Sequence, residues 1–153
     1  MRVEAEVTIN GPKEAVWAVI TDIANAADTI SGIEELEVLE KPDSGLVGLK
    51  WRETRTMFGK AATEEMWITD AVENDFYTVR AESHGCIYTS SMSVSERDGG
   101  SALTMAHESS PQGFLAAGEL DLECLTRHLF FAERDFMERN SHFKQVVPYL
   151  VLH

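Results

Sequence analysis

Three side chains in this sequence carry acid–base chemistry at positions that strand alternation would bring to one surface: Glu53, Tyr88 and His107. Glu53 stands between Trp51 and Arg55 at two-residue steps, so all three project from the same face of an extended segment. A carboxyl group buried there without a partner would serve as a proton donor or acceptor. The plainer expectation is a bond to Arg55 or contact with solvent. Tyr88, Ser90 and His107 form a second group, because a hairpin closed by Arg97-Asp98-Gly99-Gly100 places Ser90 opposite His107. A tyrosine and a histidine facing an apolar space can polarise a carbonyl, move a proton or orient a ligand; they can also form a hydrogen-bonded satellite of the core. Arg55 and Glu64 would face each other across the Gly59-Lys60 turn. As a cross-strand ion pair they would contribute about 0.2–1 kcal/mol. As a ligand site, Arg55 would anchor a carboxylate and Glu64 would hold the guanidinium in place. No residue is assigned outright as catalytic on this pattern.

Other chemistries lack their residues. His128 and His142 make no H-E-x-x-H or other metal-ligand spacing, and His84 reads as a turn residue. There is no G-x-S-x-G nucleophile elbow and no glycine-rich phosphate loop. No metal and no cofactor is implied. Cys86 and Cys124 form no C-x-x-C and read as two isolated buried thiols of a reducing compartment. With 26 acidic against 13 basic residues the net charge is −13. A field of that sign repels phosphate backbones and anionic lipid headgroups, so no nucleic-acid partner is expected. Met1 to Glu6 is charged and alternating, without the apolar core of a signal peptide. No run approaches the roughly 20 apolar residues of a membrane span. The expectation is a cytoplasmic protein that does not insert into a membrane.

The elements that would position these residues follow from periodicity. Val3, Ala5, Val7 and Ile9 alternate with polar residues, as in a half-buried strand, and Asn10-Gly11-Pro12 ends the run. Lys13 to Thr21 then reads as a short amphipathic helix and Ala24 to Thr29 as a second. Six alternating runs follow, at 33–41, 46–57, 61–73, 76–83, 86–96 and 101–108, separated by compact turn signals. Taken as a meander they pair Leu36 with Trp51, Trp51 with Ile68, Ile68 with Ala81, Ala81 with Tyr88, Met92 with Met105 and Val94 with Leu103. Each pairing keeps apolar residues on one face. That face would present Trp51, Met66, Ile68, Met92 and Met105 around the polar members already named. From Gly118 to Val147 apolar residues recur at three- and four-residue steps, among them Leu125, Leu129 and Phe136, which describes one helix about 45 Å long.

A sheet of seven strands needs its apolar face covered, and the long C-terminal helix is the one element large enough to do so. A curled sheet is wider than one helix, so a cavity is expected between them, and such cavities hold small apolar ligands. With 153 residues and 44% hydrophobic content, one domain over 1–153 accounts for the whole chain.

The segment Val7-Thr8-Ile9-Asn10-Gly11-Pro12-Lys13-Glu14-Ala15-Val16-Trp17-Ala18-Val19-Ile20-Thr21-Asp22, with Val47-Gly48-Leu49-Lys50-Trp51, resembles the SRPBCC superfamily. That superfamily includes birch-pollen allergen-like proteins, START lipid-transfer domains and polyketide cyclase/dehydratase-like proteins. The resemblance implies the α+β helix-grip fold: a seven-stranded curved antiparallel sheet, two short helices after the first strand, and a long C-terminal helix across the concave face. Asn25-Ala26-Ala27-Asp28-Thr29 departs from the pattern in having no aromatic residue. The function it implies is binding of a small hydrophobic molecule (a lipid, polyketide or aromatic metabolite), lined by Trp51, Arg55, Met66, Ile68, Tyr88, Ser90, Met92, Met105, His107, Leu125, Leu129 and Phe136. One alternative is a cyclase-, aromatase- or dehydratase-like enzyme using Glu53, Tyr88 and His107. Another is a protein-interaction module of the chaperone-activator type. A monomer or a homodimer would serve any of these.

Overall fold

A computed structural model describes residues 2–30, 32–57, 60–83 and 86–112. The alternating opening residues form β1 (Arg2–Ile9), and Pro12 then caps α1 (Lys13–Ile20), its carbonyl accepting from the amides of Ala15 and Val16. The apolar spacing of α1 buries Val16, Trp17 and Ile20. A 3-10 turn (Ile23–Asn25) and a four-residue α2 (Ala26–Thr29) lead into the sheet. Its strands are β2 (Ile33–Glu40), β3 (Lys50–Met57), β4 (Lys60–Val72), β5 (Phe76–Ser83), β6 (Cys86–Arg97) and β7 (Gly100–Pro111). The order across the sheet is β1-β7-β6-β5-β4-β3-β2, every pair antiparallel. This is the expected meander, with β1 returning beside the last strand. The long helix expected over Gly118–Val147 lies outside the described residues.

Register agrees with expectation in the later hairpins and departs from it in the earlier ones. Ala81 pairs with Tyr88, Met92 with Met105, Val94 with Leu103, and Ser90 with His107. In the first half, Trp51 pairs with Val38 and Met66 rather than with Leu36 and Ile68. Ile68 pairs with Val79 rather than Ala81. Each difference is two residues, which leaves every side chain on its face. The cause is in the connections. The β3–β4 hairpin closes on Met57↔Lys60, one position earlier than the Gly59-Lys60 turn read from the sequence. Pairing of β3 also starts at Lys50 instead of residue 46. Gly48 sits at φ 90, a left-handed conformation that takes the chain out of a regular strand. Its N–H still donates to the Ile68 carbonyl at 2.9 Å, and Leu46 and Leu49 pack against the core.

A bulge between Ile68 and Asp70 has a larger consequence. Strict alternation from Ile68 would turn Asp70 and Val72 inward. The inserted residue reverses the phase, so Ala71 pairs with Tyr77 on the core side while Val72 is 47% exposed. At the other end of the sheet β1 crosses close to β7. A Cβ on Gly100 would lie 2.1 Å from the Ile9 carbonyl oxygen, so only glycine fits there.

The main core gathers where α1 meets the sheet: Val16, Trp17 and Ile20 against Val7, Ile9, Tyr77, Val94 and Leu103. Trp17 and Tyr77 meet edge to face at 5.9 Å and 74°. The Tyr77 hydroxyl donates to the Ile20 carbonyl at 2.9 Å, and burial raises its pKa well above the usual phenol value. A smaller cluster of Ala81, Cys86 and Tyr88 lies toward the far end of β5 and β6, joined to the first through Met66.

Candidate functional site

The concave face carries two polar groups set in an apolar field. The first belongs to β3. Alternation points Trp51, Glu53 and Arg55 inward, and the three side chains bond in sequence. The Arg55 Nε donates to Glu53 Oε1, and the Trp51 Nε1 donates to Glu53 Oε2 at 3.2 Å. Glu53 is 4% exposed as a residue, and the Arg55 side chain keeps 18% of its surface. Both carboxylate oxygens are therefore engaged, while Arg55 uses only its inner nitrogen. The expected Arg55–Glu64 facing pair is not formed, because the two-residue shift places Ala62 opposite Arg55 and Glu64 opposite Glu53. Two carboxylates directly opposite each other repel, and the Arg55 charge beside them offsets that repulsion.

The second group spans β6 and β7, as the hairpin reading predicted. Ser90 Oγ and His107 Nδ1 lie 2.8 Å apart, and the His107 ring stacks on Tyr88 at 5.9 Å with 26° between planes. Tyr88 is 4% exposed, whereas Ser90 and His107 are half-buried. The bond and the stack together fix the plane of the imidazole, which is what a group that orients a ligand or transfers a proton requires.

These groups do not converge through the backbone. The pairings Trp51↔Met66, Met66↔Ala81 and Ala81↔Tyr88 set β3 three strand intervals from β6, about 14 Å at the usual spacing. Glu53 thus stands apart from Tyr88 and His107, which do meet. Between them lie Met66, Ile68, Val79 and Ala81, with Met92 and Met105 beyond. Trp51, Ile68 and Met105 are buried in the main cluster, and Met66 and Met92 are partly buried against it. Leu125, Leu129 and Phe136 lie outside the described residues. An open cleft of about 310 Å³ is lined by Glu40, Gly48, Lys50 and Trp67. Lys50 and Trp67 each neighbour an inward residue in sequence, so this cleft belongs to the outer face.

Two features escaped the sequence reading. Tyr77 shares the parity of Val79 and Ala81, and its hydroxyl lies 2.9 Å from the Met92 sulfur; continuing the β5 alternation one step back would have found it. Cys86, 2% exposed, is disulfide-bonded and so is not the isolated thiol expected; Cys124 lies outside the described residues. Among the described residues no group of three or more His, Cys, Asp or Glu could hold a metal ion, and no helix is long and apolar enough to cross a membrane.

Comparison with known proteins places this architecture. The Zhui aromatase/cyclase from Streptomyces sp. R1128 is similar with a TM-score of 0.64 at 19% identity, over 74% of this chain and 70% of that one. TTHA0849 from Thermus thermophilus reaches 0.65 at 17% identity, over 82% of this chain and 85% of its own. Ara h 8.0201 reaches 0.62 at 18% identity, over 74% and 78%. At such identities the likeness is one of fold. No curated protein matches the sequence. The profile of the family described as polyketide cyclase / dehydrase and lipid transport matches residues 1–125. That match spans most of the chain and coincides with the sheet built above, so the protein belongs to this family, within the SRPBCC superfamily.

Proposed function

We propose that this protein binds a small hydrophobic molecule against the concave face of its sheet. The observation that carries the reading is the pairing of an apolar strip with fixed polar groups at its two sides. Met66, Ile68 and Ala81 offer apolar contact, while Arg55 and the Ser90–His107 pair offer hydrogen bonds. Pockets for small ligands have this composition, mostly apolar with a few placed polar groups. Methionines add an adaptable lining. Family membership supports the reading, since the family description joins cyclisation with lipid transport. The C-terminal segment, by its periodicity, would supply the opposite wall through Leu125, Leu129 and Phe136.

A second reading has an observation of its own. The stacked Tyr88–His107 pair, with His107 held by Ser90, is suited to proton transfer at a carbonyl, and one structural neighbour is named an aromatase/cyclase. In that reading Tyr88 and His107 act together and Glu53 organises Arg55 instead of taking part in proton transfer.

Native mass spectrometry of protein purified from its own host, followed by denaturing extraction, tests the first reading. A reproducible apolar compound released on unfolding is the expected result. An empty protein that also fails to bind a fluorescent apolar probe would overturn it. Turnover of the extracted compound that Tyr88→Phe abolishes, with binding intact, would establish the second.

A further inference from the structure

We infer that the outer face of the sheet carries a second site, and that it takes a methylated ammonium group. The site is the open cleft of about 310 Å³ lined by Glu40, Gly48, Lys50 and Trp67. Its volume stands at the lower end of the range for small-ligand clefts. The cleft lies on the opposite side of the sheet from the concave face, so it goes beyond the binding reading above and does not rest on it.

The charge it takes follows from the ladder beside it. Glu40, Lys50 and Trp67 form one cross-strand row, and Glu37, Arg52 and Glu65 form the next. Lys50 pairs with Glu40 across the strands, yet its ammonium turns to Glu65 in the neighbouring row, at 3.0 Å. Glu65 also takes Arg52 at 2.6 Å, and Arg52 takes Glu37 at 3.3 Å. Both cations are thereby engaged by Glu65 and Glu37. Among the described residues Glu40 forms no ion pair, and neither does Lys41 next to it in the chain. Three carboxylates thus stand against two cations, and the uncompensated one lines the cleft. With its ammonium held at Glu65, Lys50 offers the cleft its methylene stem.

The form of the cation follows from the remaining walls. Trp67 is half-buried and supplies an aromatic surface, whose negative face attracts a cation. At Gly48 no atom lies within 4 Å of where a Cβ would sit, so the space over that backbone is open. An unsubstituted ammonium brings three N–H donors into the cleft, where the lining side chains offer one acceptor group, the Glu40 carboxylate. A fully methylated ammonium has no N–H to satisfy. Its methyl groups pack on the indole, and its charge is met by Glu40.

Proton–nitrogen correlation spectra at low salt test this, with choline as the probe and 3,3-dimethylbutan-1-ol as its uncharged isostere. Choline is expected to shift the Trp67 indole N–H signal, assigned through Trp67→Phe, and to bind about tenfold tighter than the alcohol. Glu40→Gln, at an exposed position, is expected to remove most of that advantage, and the native dispersion of the same spectra confirms that the variant folds. Ethanolamine, the unmethylated counterpart, is expected to bind more weakly than choline. Choline that binds no tighter than its isostere, shifts no signal of Trp67 or is indifferent to Glu40→Gln overturns the inference. So does ethanolamine that binds as tightly as choline. None of these results bears on the concave face, whose own test is the compound released on unfolding.

Discussion

Strand β3 carries two arginine–glutamate arrangements, one on each side of the sheet, and the contrast between them separates charges held in water from a charge pair held almost out of it. Outside, Arg52 reaches Glu65 on β4 at 2.6 Å and Glu37 on β2 at 3.3 Å, while Lys50 reaches Glu65 at 3.0 Å. The network lies in water: it raises the pKa of Arg52 and lowers that of Glu65, in each case chiefly through the hydrogen bond between them. Such ladders tie neighbouring strands and keep an outer face soluble, and each pair contributes little. Inside, Glu53 and Arg55 form one pair on one strand, almost out of water, where desolvation opposes the attraction. Two apolar residues of similar size would hold the fold at least as well. Stability alone does not account for a charge pair at that position.

The contrast can be broken most strongly from inside. Arg55→Met leaves Glu53 buried beside Glu64, and we expect a loss of about 3 kcal/mol in urea unfolding, the low end for such a break because Arg55 is partly exposed. The double variant Glu53→Leu/Arg55→Met should recover most of that loss, and a double variant no better than the single one would count against the account of desolvation. A neutral bond on the same face gives the intermediate case. Ser90→Ala removes the 2.8 Å contact to His107 and should cost about 1 kcal/mol, read from the same unfolding curves.

Outside, effects should be smaller and dependent on conditions. Arg52→Met should lower the melting temperature slightly at low salt and not at all in 1 M NaCl, where charges are screened within about 3 Å; the Arg55→Met loss should persist in both. The smallest expected effect is one of pH. The lowered pKa of Glu65 means that its stabilisation is present above the ordinary carboxylate range and fades as pH falls through its folded value. Melting curves of the native protein and Glu65→Gln should therefore converge in acid, and curves that stay parallel would show that Glu65 is not coupled to Arg52.

Much of this was legible in the chain itself, for reasons particular residues make plain. Val3 to Ile9, Lys13 to Thr21 and the six later runs announce their elements through periods of 2 and 3.6, and the structure has them. The inward face was legible too: Trp51, Met66, Ile68, Tyr88, Met92 and Met105 lie where alternation put them. The Ser90–His107 contact was legible because the hairpin carrying it has a short turn and no bulge. The Arg55 partner was not. Naming it required the absolute register of β3 on β4, and that depends on how the hairpin closes at Met57 and Lys60.

The sequence by itself determined the order of elements, the face to which a strand residue points wherever no bulge intervenes, and the family to which the chain belongs. A side-chain period of two is a local property, and it survives any even shift of register. Only the tertiary structure decided which charges meet, that a bulge after Ile68 turns Asp70 outward and Ala71 inward, and that Glu53 stands three strands from Tyr88. Pairing distances depend on turn closure and on single inserted residues, whose cost is shared over the whole sheet and leaves no period in the chain to read.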